Sequence, residues 1–454
     1  MKLNPLMVVL AATTLTACAT AERVGSAINP FDGGSKKQAD KKKAPEEGRI
    51  SILTFEQKLE ADEGLKDRKP LIPVAGDGVD WTQPGGRADN APQNLNAGGA
   101  YKIAWRRDVG AGSSNNARLV APPVVAGGKI YVLDADAVVH AFSADAGAQS
   151  WRVELRPRGA KDKSAIGGGL AVWDGKVFAT TGYGQTVALD AASGAEQWRT
   201  DAGAPFSGAP TATGGRVYAV TNDSELVAIN AADGAIQWTH QAIAEPARIL
   251  SASSPAVVGD TVVAPFPSGE VVALLTANGR RLWVDALSRS GRLTSLSAIN
   301  DIAGRPVVVD GIIYAVSHSG VFAAIDQRTG QRLWARGLAS TQTPLVAGDA
   351  VYTITVDGEA AALERGAGKV FWVKQLRRYE NDKKKKNRIS WVGPLMANGK
   401  LVFANSVGEG VVLSAETGET EKTFTVGGPV FVPPVAAGGT IYFLTDEGRL
   451  VAMR

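Results

Sequence analysis

Six copies of one turn motif in this sequence carry a glycine followed four residues later by a tryptophan: Gly147 and Trp151, Gly194 and Trp198, Gly234 and Trp238, Gly279 and Trp283, Gly330 and Trp334, and Gly368 and Trp372. The copies recur at roughly forty to fifty residues, a period that implies a solenoid, a propeller or an array. The fullest copy runs Val187-Ala188-Leu189-Asp190-Ala191-Ala192-Ser193-Gly194-Ala195-Glu196-Gln197-Trp198. Its alternating apolar residues, Val187 and Leu189, give a half-buried strand, and the Asp-x-x-Ser-Gly segment then turns the chain. Asp accepts hydrogen bonds from turn amides, and Gly takes positive φ without steric cost. The Trp falls on the following strand, where it can pack between neighbouring sheets. A second element, Pro-x-Val-x-x-Gly-x-Val-Tyr in outline, precedes the turn, as at Pro210 to Tyr218 and Pro344 to Tyr352. Together the two elements supply four short strands per repeat, which is a propeller blade.

The ends of the repeat region complement each other. Tyr101 to Trp105 reads as the last strand of a repeat that lacks its earlier strands. Pro433 to Tyr442 and Leu450 to Arg454 read as the first three strands of a repeat that stops at its turn. Joined, they make one blade and remove an open sheet edge that would invite aggregation. Trp105, Trp151, Trp198, Trp238, Trp283, Trp334 and Trp372 mark seven outer strands. Glu416-Thr417-Gly418 keeps the turn of a degenerate eighth, with Lys422 in the Trp register and Phe424 as the substitute aromatic. The expected fold is therefore all-β: one eight-bladed β-propeller of four-stranded antiparallel blades over residues 98–454, closed by N-terminal strand pairing with the C-terminal blade. Seven blades is the alternative if the Phe424 copy is false.

Before the ring, Met1-Lys2 and an apolar run from Leu6 to Leu15 lead into Leu15-Thr16-Ala17-Cys18. A charged start, a short apolar core and small residues describe a secretory signal over 1–17, too short for a permanent membrane span. Cys18 is the single cysteine, so no intrachain disulfide can form and stability must come from packing. Residues 18–97, with Lys36-Lys37, Lys41-Lys42-Lys43, Pro45, Pro70, Pro73 and Pro84, read as a tether to the folded body. Within it, the more apolar stretch from Ile50 to Leu59 could dock as a short element.

The remaining chemistry is sparse. With 49 basic and 45 acidic residues and a net charge of +4, the balance does not argue for nucleic acid. His140, His240 and His318 stand singly, without a metal-ligand partner at i+2 to i+4, so no metal is expected. Asp190 and Asp326 recur at one turn position, with Asn230 and Ser143 in the same register, and read as turn formers rather than catalytic carboxylates. Gly167-Gly168-Gly169 lacks the setting of a phosphate loop and reads as a flexible blade connection. No catalytic residue and no cofactor site emerges. Lys383-Lys384-Lys385-Lys386, flanked by Arg377-Arg378 and Arg388, is an insertion between blades. It reads as a solvated loop or as a patch for anionic headgroups or acidic partners, with Trp391 anchoring its base.

Two resemblances bear on function. Leu15-Thr16-Ala17-Cys18 resembles the bacterial lipoprotein signal, which implies cleavage before Cys18 and acylation of it. Ala19, where Asp would favour inner-membrane retention, implies sorting to the outer membrane. Each buried lipid methylene contributes about 0.8 kcal/mol, so several chains would hold the protein on a bilayer. The repeat Ala-x-Asp-x-x-Thr/Ser-Gly-x-x-x-Trp resembles the pyrroloquinoline quinone-type propeller repeat, carried by two families. Quinoprotein dehydrogenases add a quinone and calcium site, typically with paired cysteines and a catalytic Asp, on a larger chain. The outer-membrane protein assembly factor BamB family consists of lipoproteins whose mature body is an eight-bladed propeller. The motif at Cys18, the tether, the closing strand at Trp105 and the repeats up to Arg454 resemble this second family.

That resemblance implies a non-enzymatic scaffold of the outer-membrane β-barrel assembly (BAM) complex, lipid-anchored on the periplasmic face of the outer membrane. Its partner would be BamA, the barrel that inserts outer-membrane proteins, and it could present edge strands to unfolded barrels by strand addition. In the family, BamA-binding residues lie in the loops leading into the fourth and fifth blades. The matching positions here are Arg248, Ile249 and Leu250, then Asp301, while Ala303 stands where the family has a second acid. An apolar anchor beside an Arg has the composition of an interface hot spot; alternatively Ile249 and Leu250 simply cap the ring. A quinone-dependent periplasmic dehydrogenase and a glycan-binding envelope propeller are the alternative functions.

Overall fold

The computed structural model describes residues 59–65, 67–160, 166–245, 249, 253–288 and 300–454. The expectations for the signal, for Cys18 and for most of the Ile50 to Leu59 stretch lie outside these residues. Eight four-stranded antiparallel sheets form a propeller ring. Blade one consists of Val124–Ala126, Lys129–Leu133, Val138–Ser143 and Gln149–Glu154. Blades two to seven begin at Gly168–Trp173, Thr211–Thr213, Ala256–Val258, Val307–Val309, Leu345–Ala347 and Trp391–Ala397. First strands of successive blades touch around the axis, and the fourth strands are the most exposed, as in Gln149–Glu154. The middle strands carry the core: Val177, Phe178, Val187 and Leu189 are fully buried between blades.

Blade eight takes Val435–Ala437, Thr440–Leu444 and Arg449–Met453 from the C-terminus and Ile103–Asp108 from the N-terminal side. Trp105 lies opposite Ala452, and Asp108 opposite Arg449. The split repeat is therefore the closure of the ring. The Phe424 copy is a genuine fourth strand, Thr420–Thr425 of blade seven, which settles the count at eight.

The six glycine–tryptophan pairs acquire a reason here. The Trp of each of these blades reaches across to the turn of the next one. The indole Nε1 of Trp151 donates to the Ala191 carbonyl, and those of Trp198, Trp238, Trp283, Trp334 and Trp372 donate to the carbonyls of Ala231, Thr276, Gln327, Arg365 and Ala415. The ring then lies on the glycine of that turn. At Gly234 (φ 78°), a Cβ would stand 2.7 Å from Trp198. So the glycine is required twice, by its backbone conformation and by the preceding blade's indole. Five of the six indoles also pack on an aromatic of their own blade, as in Trp238 on Tyr218 at 5.9 Å between ring centroids; in blade four Val263 takes that register beside Trp283.

Lys422 occupies the Trp register of blade seven, opposite Val412. The next blade is the closing one, whose fourth strand comes from the N-terminal side and has no such turn before it. The ammonium of Lys422 instead donates to the Ala100 carbonyl at 2.8 Å, and Phe424 stacks on Tyr101. In the repeated turns, Asp190 Oδ1 accepts from the amide and hydroxyl of Ser193, and Asp326 Oδ1 does the same with Thr329. These bonds hold both carboxyls below the usual Asp range, the hydroxyl bond contributing most.

Two stretches differ from their sequence-based expectations. Gly168 and Gly169 open the first strand of blade two rather than forming a flexible connection. Glycine is needed because strands converge at the axis: a Cβ on Gly169 would meet Ala209 at 2.5 Å and Ala121 at 2.8 Å. The described part of the tether, from Leu59 onward, lies along the ring as a strap. Trp81 pairs with Val125 of blade one, Thr82 accepts from Val172 of blade two, and the Gln83 side-chain amide pairs with the Ala212 peptide of blade three. Ala88 and Asp89 accept from Val257 and Val308 of blades four and five. Leu71 donates to Asp349 of blade six, Asn398 of blade seven donates to Leu95, and Gly438 of blade eight donates to Gly78. In blades one to five the strap thus satisfies backbone groups that the first strands leave unpaired, and in blades six to eight it bonds to the turn that follows the first strand. Its composition is polar because it bonds through backbone and amide groups, burying few large apolar side chains besides Trp81 and Leu65.

Candidate functional site

The loops leading into blades four and five meet. The Ile249 amide donates to Asp301 Oδ2 at 2.6 Å, and Asp301 is buried. The Asp301 carbonyl accepts from the His318 amide, so the latch is fixed to blade five. Ser253 Oγ donates to the Gly304 carbonyl at 3.4 Å, a second, longer tie between the same loops. Ile302 is buried in the core shared by blades four and five. Of the expected contact residues, Ile249 and Asp301 are thereby brought together, with Ile249 half-buried beside the axis. Arg248 and Leu250 lie outside the described residues. Ala303, in the position of the family's second acid, is buried.

Ile249 also lines a cavity of about 480 Å³ at the axis, built from the loops that lead into several blades. Trp391 and Phe431 form apolar wall, while Gln342, Arg118 and Asp446 contribute polar groups. At its inner side stands Arg305, 6% exposed. Its Nη1 and its backbone amide both donate to Thr343 Oγ1, at 3.3 and 3.1 Å, and its Nε has no acceptor among the described residues. Burial pulls this guanidinium down to about 10, still protonated at neutral pH. Arg305 also borders a smaller space toward the strap residues Trp81, Pro84 and Asn90.

The lysine-rich insertion is a hairpin of Tyr379–Asn381 and Lys386–Arg388. Trp391 Nε1 donates to the Arg377 carbonyl at its base, and Arg378 and Arg388 both pair with Asp357. Lys383 to Lys386 are exposed. Each histidine has a separate setting. His140 is buried with Nε2 at 3.0 Å from Asp134 Oδ2, His240 sits on an outer strand with its pKa lowered mainly by desolvation, and His318 lies in a blade-five loop. Among the described residues no cluster of three His, Cys, Asp or Glu could hold a metal ion. Sequence reasoning missed the axial cavity, because its walls come from loops scattered over most of the chain. The signal available was Arg305 itself, a charged residue directly before the proline that opens blade five.

A family model described as outer membrane protein assembly factor BamB matches residues 100–165 and 135–374. The chain belongs to the BamB family. It is 35% identical over 246 residues to BamB of Shigella dysenteriae serotype 1 (strain Sd197), an alignment covering 54% of this chain and 62% of that relative. The chain thus spans about three-fifths of the length of the first such curated relatives. Among solved structures, BamB from Moraxella catarrhalis superposes with a TM-score of 0.63 at 19% identity, covering 77% of this chain and 98% of that one. Quinohemoprotein alcohol dehydrogenase from Comamonas testosteroni gives 0.64 at 15% identity, covering 83% and 81%. At these identities the two structures speak to the propeller fold, which BamB shares with the dehydrogenase.

Proposed function

We infer that this chain is a non-enzymatic scaffold of the outer-membrane β-barrel assembly complex, lipid-anchored through Cys18 on the periplasmic face and docking onto the periplasmic domains of BamA. The observation that carries this reading is the latch between Ile249 and Asp301 in a BamB-family ring. It brings together the two loops on which the family resemblance puts the partner contacts. Arg248, Ile249 and Leu250 are the direct contacts in this reading, and Asp301 holds their loop in place. An apolar anchor flanked by an Arg on a pinned loop loses little conformational freedom on binding.

The test is co-purification of the tagged full-length chain from membranes solubilised in mild detergent, with identification of what elutes. Wild type is expected to bring down BamA, and the Arg248→Ala/Leu250→Ala double variant to lose it while remaining folded. Recovery with both would keep the scaffold role and move the surface elsewhere. A well-folded wild-type preparation that elutes without BamA would overturn the reading.

A further inference from the structure

We propose that the axial cavity is a binding site for a carboxylate group, received by Arg305 between the loops leading into blades five and six. The site adjoins the surface assigned to BamA, since Ile249 lines the same cavity, but Arg305 is not one of the residues assigned to that contact.

Three observations converge on it. A guanidinium offers five N–H donors in a planar fork suited to a carboxylate, yet the described residues give this side chain one acceptor, Thr343 Oγ1, and leave Nε without any. Among the described residues it forms no ion pair, although it is more than nine-tenths buried. A buried cation without a counter-charge is costly to hold. The cavity beside it, about 480 Å³, falls in the range of small-molecule sites, roughly 300 to 1,000 Å³.

The walls fit an organic acid better than a bare inorganic anion. Trp391 and Phe431 offer apolar surface for a carbon skeleton, Gln342 a neutral amide, and the exposed Arg118 a second cation near the mouth. Asp446 is the acidic group on the lining, and it disfavours a ligand carrying several charges. The chemistry is therefore a single carboxylate on a partly apolar body, brought either by a small molecule or by an acidic side chain of a polypeptide.

The experiment uses the full chain, with ligand-observed NMR and calorimetry at constant ionic strength. The probes are benzoate, its neutral analogue benzamide, and an end-capped pentapeptide with a central Glu or Gln. Benzoate is expected to bind and benzamide to bind at least tenfold more weakly. Arg305→Gln should abolish the benzoate signal, and Arg305→Lys should weaken it. Binding of the Glu peptide in competition with benzoate, but not of the Gln peptide, would identify a polypeptide as a source; benzoate binding alone would identify a small acid. Arg305→Gln should also melt no lower than wild type without ligand, because it removes an unpaired buried charge, and should lose the benzoate-induced rise in midpoint. Failure of folded wild type to bind either acid, equal binding of benzoate and benzamide, or undiminished benzoate binding by folded Arg305→Gln would overturn the proposal. A sharply lower midpoint for Arg305→Gln together with undiminished benzoate binding by Arg305→Lys would assign Arg305 a structural role instead.

Discussion

The Ile249 amide and the Asp301 carboxylate, 52 positions apart in sequence, share a hydrogen bond of 2.6 Å that ties the loop leading into blade four to the loop leading into blade five. A bond to a charged acceptor of this kind is worth about 1.5 to 3 kcal/mol. Because Asp301 is buried, its effect on a partner would pass through Ile249. Asp301→Ala is expected to reduce BamA recovery roughly tenfold with little change in melting temperature. Asp301→Asn, which keeps an acceptor oxygen, should lose less. Quantitative co-purification beside thermal melts of the same preparations separates these effects; a full loss of fold in Asp301→Asn would contradict the local role.

Gly215 and Gly234 share nearly the same backbone angle, with φ of 77° and 78°, but a Cβ on Gly215 meets nothing, while one on Gly234 meets Trp198 at 2.7 Å. Gly215→Ala should cost about 1 to 2 kcal/mol for the left-handed conformation alone. Gly234→Ala should cost that and a further 1 to 3 kcal/mol from overpacking the indole. Chemical denaturation of the pair would measure the difference, and equal losses would show that the indole yields.

Asn90 on the strap is fully buried and its Nδ2 donates toward the carbonyls of Ser254, Pro255 and Pro306 at 3.0 to 3.4 Å. Asn90→Ala removes that donor from two blades at once and is expected to destabilise the ring by about 1 to 3 kcal/mol. Limited proteolysis should then cut within residues 67–97 at lower protease concentrations than in wild type.

Asp190 and Asp326 have carboxyls held below their ordinary range by hydroxyl and amide donors. A group whose folded pKa lies below its unfolded value contributes stability that is full above the unfolded value, near 3.9, and is lost as pH falls through the folded one. Acidification below about pH 4 should therefore weaken these turns. Combined Asp190→Asn and Asp326→Asn should flatten the acid limb of a denaturation profile while leaving the neutral region nearly unchanged. A profile of unaltered slope would remove these turns from the acid response.

The repeat made the ring legible. Gly-x-x-x-Trp is a local pattern, and the split first and last strands could be joined by inspection because Trp105 and the C-terminal Leu450 to Arg454 are complementary parts of one repeat. The strap was not legible. Gln83, Ala88, Asp89 and Asn90 bond through polar groups to blades whose sequences begin dozens to hundreds of residues later, and no hydrophobic periodicity marks such contacts. Of the candidate site, Ile249 and Asp301 could be found from loop position and family resemblance. Arg305 could not be weighed, since only the folded axis shows that it is buried and, among the described residues, forms no ion pair.

The strap and the closing strand set the order in which this molecule can be assembled. Lys102 exchanges hydrogen bonds with Arg454, the last residue of the chain, and the strap residues before it bond to all eight blades. The closing blade is therefore complete only when segments more than 300 residues apart have met. Contacts of such sequence separation favour slow closure, and the closing strand Ile103–Asp108 has its partner only once Arg449–Met453 is in place. Because the strap bonds to every blade and the closing blade joins both ends of the ring, opening one blade breaks bonds that also hold its neighbours, and unfolding becomes a property of the whole circle.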